Sequence, residues 1–144
     1  MMIEKINTKD QEAALVLVLS VFMEYEAPDY SEEGIQTFVN IINNEEFING
    51  LEIYGAYIES RIVGVIPTRN CGNHIALFFV DGKYHRQGIG RKLFETVIKE
   101  STSNRITVNS SPYAVAVYLK LGFIPESEEQ LVDGIRYTPM SFTK

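Results

Sequence analysis

Apolar residues follow two different spacings along the chain, and the change comes near residue 50. Over residues 8–42 they recur every three or four positions, which predicts two helices separated by Ala27-Pro28-Asp29. Further on, segments 51–59, 61–69 and 74–80 are short and predict strands. The third of these is apolar nearly throughout, which indicates burial on both faces.

The remaining segments complete an order of strands and helices. Helices are predicted from Gly88 and over residues 110–122, where Pro112 and Gly122 suit the start and the end. Strands are predicted at residues 2–6, 106–109, 123–126 and 134–142. The order β-α-α-β-β-β-α-β-α-β-β has no internal repeat or linker. It predicts one domain over residues 1–144, with a mixed α/β sheet covered by helices.

Composition and charge exclude several kinds of function. One cysteine and two histidines are too few for a common zinc site, and Cys71 has no internal disulfide partner, which suits a reducing cytoplasm. A formal net charge of −6 argues against nucleic acid as the main partner. The acidic N-terminus is unlike a signal peptide, and no apolar run is long enough to span a bilayer. We therefore expect a cytoplasmic protein that binds no metal, nucleic acid or membrane.

A basic segment with two glycines, YHRQGIGRKL at residues 84–93, contrasts with this acidic chain. It follows a predicted strand and opens a helix, whose first N–H groups favour an anion. Glycine permits close approach of the backbone to a phosphate, and Arg86, Arg91 and Lys92 add positive charge. The segment lacks the Gly-Lys-Ser/Thr end of a P-loop, and Leu93 stands where a dinucleotide fingerprint has its third glycine. Two interpretations remain, another kind of phosphate loop and a plain tight turn with basic surface residues.

Two segments together resemble the GCN5-related N-acetyltransferase (GNAT) superfamily. VDGKYHRQGIGRKLFETVI, residues 80–98, is similar to its acetyl-CoA motif Arg/Gln-x-x-Gly-x-Gly/Ala. NSSPYAVAVYLKLGF, residues 109–123, is similar to its later motif, which ends in a tyrosine and then Leu-Gly-Phe. The order of elements also matches, so the resemblance covers nearly the whole chain. It implies an α/β fold with a mixed, mostly antiparallel central sheet of about seven strands, splayed between strands four and five and flanked by about four helices.

The resemblance also implies a cofactor and its contacts. The cofactor is acetyl-CoA, with its pyrophosphate held mainly by backbone N–H groups of the glycine loop. Its pantetheine arm pairs with the preceding strand like an added β-strand. His85 departs from the family, which usually has Arg or Gln there. The cofactor-binding residues implied are Phe78, Phe79, Val80, His85, Arg86, Gln87, Gly88, Ile89, Gly90, Arg91, Asn109 and Ser111. Ser111 equally suits a helix N-cap.

Two side chains are candidates for the acid and the base of acetyl transfer. By resemblance, Tyr118 lies at the family's general-acid position, four residues before Gly122. The other interpretation is a tyrosine packed in the core. His74, eleven residues before His85, lies where the histone-acetylating branch has a glutamate base. An imidazole has a suitable pKa for taking a proton through water, and the other interpretation is a surface histidine at a strand end. The transfer implied is direct, so Cys71 is not needed as a nucleophile.

The acidic segment EYEAPDYSEE, residues 24–33, lies where family members form part of the acceptor site. Glu24, Tyr25 and Tyr30 suit a cationic amine through charge and cation–π contact. The alternative is that the acids of this segment cap the second helix and keep the loop soluble.

The activity implied is that of an acyltransferase of the EC 2.3.1 class. It moves acetyl from acetyl-CoA directly to the primary amine of a small cationic molecule, such as a polyamine or an amino acid. An acyl-CoA-binding module without transferase activity and a protein N-terminal or lysine acetyltransferase are the alternatives. Many relatives pair their C-terminal strands across a two-fold axis, which implies a homodimer.

Overall fold

Nine strands and five α-helices make up the computed structural model, which describes residues 1–144. They are β1 Met2–Lys5, α1 Gln11–Val21, α2 Glu32–Ile42, α3 Glu45–Asn49, β2 Glu52–Ile58, β3 Arg61–Arg69, β4 His74–Ile75, β5 Phe79–Val80, α4 Ile89–Glu100, β6 Arg105–Ser110, α5 Val115–Leu121, β7 Ile124–Pro125, β8 Gln130–Val132 and β9 Ile135–Thr143. The strand order is β1-β2-β3-β4-β6-β9-β7, with β5 beside β3 and β8 beside β9. Only the β4–β6 pairing is parallel, so the mixed, mostly antiparallel α/β sheet is confirmed. None of the helices is long and apolar enough to cross a membrane.

The structure has two more strands and one more helix than the sequence predicts. The predicted strand at residues 74–80 is divided into β4 and β5, and the three residues of β8 are all exposed, so no apolar alternation marks them. The five-residue α3 is too short for a helical period to be recognised. Its start is capped by the Asn44 side chain, which accepts from the Phe47 N–H at 3.1 Å.

A bulge between β4 and β5 opens the sheet. The Pro67 carbonyl of β3 accepts from the N–H groups of both Ala76 and Leu77, at 2.9 and 3.4 Å. Proline has no N–H of its own, so it cannot return a bond to this part of the strand. β4 pairs with β6 through His74 and Ile75 alone, and β5 pairs only with β3. Beyond Ile75, β5 and β6 are therefore not paired with each other, and this gap is the predicted splay.

Helices cover the sheet and form two apolar cores with it. One core contains Leu93 and Phe94 of α4. The other contains Phe22, directly after α1, and Phe38 of α2, with their ring centroids stacked 3.7 Å apart. Strand β3 is buried from residue 63 to 68 and contributes to both cores, which explains its continuous apolar sequence.

The end of the first long helix is wound differently from its start. After α1 the chain makes a π turn over Phe22–Glu26, closed by the Ala27 N–H bonding to the Phe22 carbonyl. In a continuous α-helix, with about 100° between residues, Glu26 would point roughly 80° away from Val18. The wider turn rotates Glu26 toward the inner face, where both residues are buried. One acid of the 24–33 segment thereby lies inside the molecule.

The turn between β8 and β9 lies directly against α2. A Cβ on Gly34 would collide with the Gly134 carbonyl, so these backbones approach more closely than any side chain permits. Thr37 donates to the Asp133 carbonyl at 2.7 Å. The hairpin is thus held against α2 and closes one wall of a cavity.

Candidate active site

Two cavities open beside the splay and meet. The loop cavity, about 560 Å³, follows the glycine loop and α5, and the hairpin cavity, about 380 Å³, lies between α2, the β4–β5 segment and the β8–β9 hairpin. Five residues line both, namely Glu26, Phe78, Phe79, Ala114 and Tyr118. The two cavities therefore adjoin at these residues.

The glycine loop is shaped to present backbone N–H groups. Arg86 and Gly88 have φ values of +63° and +82°, and this alternation of left-handed with ordinary residues turns successive N–H groups toward one point. The first helical bond of α4 runs from the Lys92 N–H to the Gly88 carbonyl at 3.1 Å, so the N–H groups of residues 88–91 have no partner within the helix. A non-glycine residue such as Arg86 rarely adopts a positive φ, and such conformations concentrate at functional sites.

This loop fits the pyrophosphate of the expected cofactor. A Cβ on Gly88 would meet no atom within 4 Å, so the space beside the loop is open. Unpaired N–H groups at a helix N-terminus are a favourable phosphate site, and Lys120 adds a positive charge to the cavity lining. Gln87 and Arg91 line neither cavity and instead brace the loop, through side-chain bonds of 3.3 and 3.2 Å to nearby carbonyls.

The strand before the loop leaves most of one backbone edge without a strand partner. Asp81 bonds to the Val63 carbonyl of β3 at 2.8 Å, and since alternate residues point in opposite directions, Phe78 and Val80 direct their backbone groups toward the splay. His85 contacts this edge, with its Nε2 2.7 Å from the Val80 carbonyl. A carbonyl only accepts, so Nε2 carries the hydrogen. His85, which stands where the family usually has Arg or Gln, thus links the glycine loop to β5.

The Tyr118 side chain packs in the core and lines both cavities. Its ring is 4% exposed and lies 5.2 Å from Phe123 and 6.0 Å from Phe78, centroid to centroid. Its hydroxyl has no hydrogen-bond partner in the protein, yet no fully buried polar side-chain atom lacks a partner, so the hydroxyl contacts cavity space. Burial, and secondarily the charge of Glu26, raise the pKa of Tyr118, which therefore keeps its proton.

Glu26 is a site residue that the sequence did not single out. It is 8% exposed and lines both cavities. Burial raises its pKa to about 7, an effect that the Ser111 hydroxyl partly offsets and the charge of Asp29 increases. The only sequence signal was its place among five acids in the 24–33 segment. Glu24, in the same π turn, is exposed and lines neither cavity.

His74 lies in the hairpin cavity, half-buried on β4. Its Nδ1 is 2.8 Å from the Thr107 hydroxyl of β6. Burial, with a smaller contribution from the positive charge of Arg69, lowers its pKa to about 4. The imidazole is therefore neutral at physiological pH and is a weaker base than an ordinary histidine.

The other predicted site residues divide between the two cavities. Those that line the hairpin cavity alone are Tyr30, Asn109 and Ser111, and those that line the loop cavity alone are Tyr25, Val80, His85, Arg86, Gly88, Ile89 and Gly90. Asn109 and Ser111 thus lie on the side away from the glycine loop. Tyr25 stacks at a tilt on His85, with ring centroids 4.9 Å apart. No group of three or more His, Cys, Asp or Glu side chains is placed to hold a metal ion.

Comparisons with known proteins give a family model and solved structures that this chain resembles. The family model described as the acetyltransferase (GNAT) domain matches residues 26–144. No curated protein matches the chain significantly in sequence.

Solved structures share the fold over essentially the whole chain. A protein described as a GCN5-related N-acetyltransferase, aminotransferase class-II, from Rhodopseudomonas palustris has a TM-score of 0.86 at 18% identity, covering 99% of this chain and 95% of that one. The PaiA N-acetyltransferase of Thermoplasma acidophilum, in complex with coenzyme A, has a TM-score of 0.74 at 20% identity and covers 100% of both chains. The ribosomal-protein-S18-alanine N-acetyltransferase of Escherichia coli has a TM-score of 0.65 at 21% identity, covering 99% and 92%. At these identities the likeness establishes the fold.

Proposed function

Because the chain belongs to the GNAT acetyltransferase family, we propose that it moves an acetyl group from acetyl-CoA directly to the primary amine of a small cationic acceptor. The observation that carries the proposal is the junction of the two cavities at Tyr118. One cavity has the phosphate-binding loop that a CoA donor needs, and the other leaves space for a separate acceptor. The coenzyme A complex of the structurally similar PaiA protein supports the choice of donor.

Different residues of the loop cavity bind different parts of the donor. Acetyl-CoA supplies an activated acetyl thioester. The N–H groups of residues 88–91 bind its pyrophosphate, and the unpaired backbone groups of Phe78 together with the Val80 N–H bond its pantetheine arm. His85 and Arg86 line the same cavity and complete the loop that holds the phosphates.

Tyr118 is the proton donor for the departing sulfur. Its pKa is raised, so the hydroxyl is protonated throughout the usual assay range. Its ring is fixed by Phe78 and Phe123, which limits the positions of the hydroxyl. A positioned acid of this kind contributes about 10²- to 10⁴-fold to rate.

Release of free CoA thiol from acetyl-CoA, measured across a panel of amines, tests the proposed activity. The panel includes simple monoamines, polyamines, amino acids and a short peptide with a free N-terminus. Thiol release that depends on an amine is the expected result. A protein that binds CoA yet releases no thiol with any amine would be an acyl-CoA-binding module instead.

Replacing Tyr118 with phenylalanine tests its role. Turnover is expected to fall by roughly 10²-fold or more, because the sulfur loses its proton donor, while CoA affinity changes by less than about twofold. Tyr54→Phe is the matched control, since Tyr54 is a half-buried tyrosine that lines neither cavity. Unchanged turnover in Tyr118→Phe would remove this residue from the mechanism.

We also propose a cellular compartment and an oligomeric state for this enzyme. Its single cysteine, Cys71, is free and exposed, which suits a reducing cytoplasm. We expect a homodimer through the C-terminal strands, where the short β7 forms the sheet edge and Ile124 is 62% exposed. Size measurement in solution tests the dimer.

A further inference from the structure

We infer that the Glu26 carboxylate binds the acceptor's ammonium group and removes one of its protons, and that this acceptor carries a single amine on an apolar body. The inference rests on the proposed acetyl transfer and concerns the acceptor side of the same site. It begins from an unusual placement, because Glu26 is an acid that is more than nine-tenths buried. Acids are almost never so buried unless they are paired.

No cation in the protein pairs with Glu26. The three salt bridges of the chain are Lys5–Glu52, Arg105–Glu126 and Arg136–Glu129, all between exposed or half-exposed side chains. Arg69 and His74 line the hairpin cavity without forming an ion pair with Glu26. A buried carboxylate without a cation is costly, so this position suits a ligand that brings the positive charge itself.

Glu26 and Tyr118 stand together at the junction of the cavities, so a base and an acid meet at one point. The acceptor ammonium loses one proton, which forms an O–H bond on Glu26. The freed nitrogen pair forms the C–N bond to the acetyl carbon while the C–S bond breaks. The sulfur leaves with the Tyr118 proton, and the second nitrogen proton restores the Tyr118 hydroxyl. Glu26 then releases its proton to solvent, so the products are amide, thiol and one proton.

Glu26 interacts electrostatically with three nearby titratable groups. Asp29 on the same segment, Tyr30 and Tyr118 are the titratable groups whose charges interact with it. While Glu26 is ionised, it contributes to the raised pKa of Tyr118. Once Glu26 has taken the ammonium proton, that contribution is lost and Tyr118 becomes a better proton donor. Protonation of the base therefore prepares the acid for the following step.

The lining of the hairpin cavity indicates the chemical class of the acceptor. Its walls are mainly apolar and include Phe38, Ile41, Phe47, Leu77, Val132 and Ile135. The other charged groups are Asp133 and Arg69, both exposed and opposite in sign. A polyamine would leave its further charges against apolar walls, whereas a monoamine places one charge on Glu26 and its apolar part on the walls. A volume of about 380 Å³ is that of a small-molecule site.

The pH dependence of kcat/KM tests the role of Glu26, with 2-phenylethylamine and spermidine as probes. The wild-type value is expected to rise with pH through about 7, since Glu26 must be ionised to accept a proton. In Glu26→Gln, kcat/KM should fall roughly 10²-fold at about pH 8 and should lose its acid limb, which is the rise with pH through about 7. Glu12→Gln is the matched control, because Glu12 is exposed in the first turn of α1. A Glu26→Gln enzyme within about threefold of wild type, with the limb retained, would overturn the inference.

The two probes and a binding measurement separate the remaining outcomes. We expect kcat/KM for 2-phenylethylamine to exceed that for spermidine by about tenfold or more, and the reverse order would overturn the acceptor class. If the wild-type protein releases no thiol with any amine, the proposed activity fails, and calorimetric binding of 2-phenylethylamine to the CoA-loaded protein decides on Glu26. Binding that weakens at least about tenfold in Glu26→Gln supports the inference. Equal binding by both proteins, or no binding by wild type, refutes it.

Discussion

Replacing Glu26 with glutamine should stabilise the folded protein at neutral and alkaline pH. Burial raises the pKa of this carboxyl from 4.5 to about 7. The folded chain therefore holds the proton more tightly than the unfolded chain, which ionises first. As the pH rises from 4.5 to about 7, ionisation increasingly favours the unfolded state, so the wild-type protein loses stability over this interval.

The magnitude follows from the difference between the two pKa values. Each unit corresponds to about 1.4 kcal/mol, so the shift from 4.5 to about 7 costs the folded state about 3 kcal/mol above pH 7. Glutamine has nearly the same shape and does not ionise, so the variant avoids this cost. With an unfolding entropy of about 2.1 cal/mol/K per residue, a chain of 144 residues gains roughly 3 °C in melting temperature per kcal/mol. The variant should melt roughly 10 °C higher at about pH 8.

Urea unfolding of both proteins at about pH 4.5 and about pH 8 measures the effect. The two free energies of unfolding should be nearly equal in acid and differ by about 3 kcal/mol in favour of the variant at the higher pH. Glu12→Gln, which removes an exposed acid from the first turn of α1, is the control for the loss of one surface charge. A difference for Glu26→Gln that does not grow between the two pH values would refute the assignment of a raised pKa. If Glu26→Gln is more stable and also less active, the acid costs stability and is kept for function.

Two further substitutions test the glycine loop and the wall of the hairpin cavity. His85→Phe keeps an aromatic ring but loses the bond to the Val80 carbonyl, so the dissociation constant for CoA should rise about fivefold by calorimetry, and an unchanged constant would show that the bond does not shape the loop. Gly34→Ala places a Cβ against the backbone of the β8–β9 turn and should cost about 2 kcal/mol in urea unfolding, whereas Gly50→Ala, whose Cβ would meet its nearest atom at 3.6 Å, should cost less than about 0.5 kcal/mol. Equal costs for the two alanines would contradict the close contact.

Local sequence signals predicted most of the elements and the position of the glycine loop. Gly88 at the start of α4 and Gly122 after α5 both have a positive φ, and α4 begins and α5 ends where these glycines indicated. The predicted start of α5 near Pro112 was wrong, because β6 extends to Ser110 and the helix begins only at Val115. The short α3 and β8 were not predicted, because five and three residues are too few to establish a hydrophobic period. The long predicted strand at residues 74–80 was divided, since its apolar run does not reveal that Pro67 of the neighbouring strand faces it.

The sequence by itself determined the family resemblance, the order of the longer strands and helices, and the presence of a glycine loop before a helix, because these depend on residues near each other in the chain. Only the tertiary structure decided which acid of the 24–33 segment lies inside. The inward rotation of Glu26 needs a π turn, and its raised pKa needs burial. The residues that line the cavities with it, such as Phe78 and Tyr118, are far away in sequence. Burial and electrostatic coupling depend on distances in space, and those distances exist only after the sheet and helices have packed.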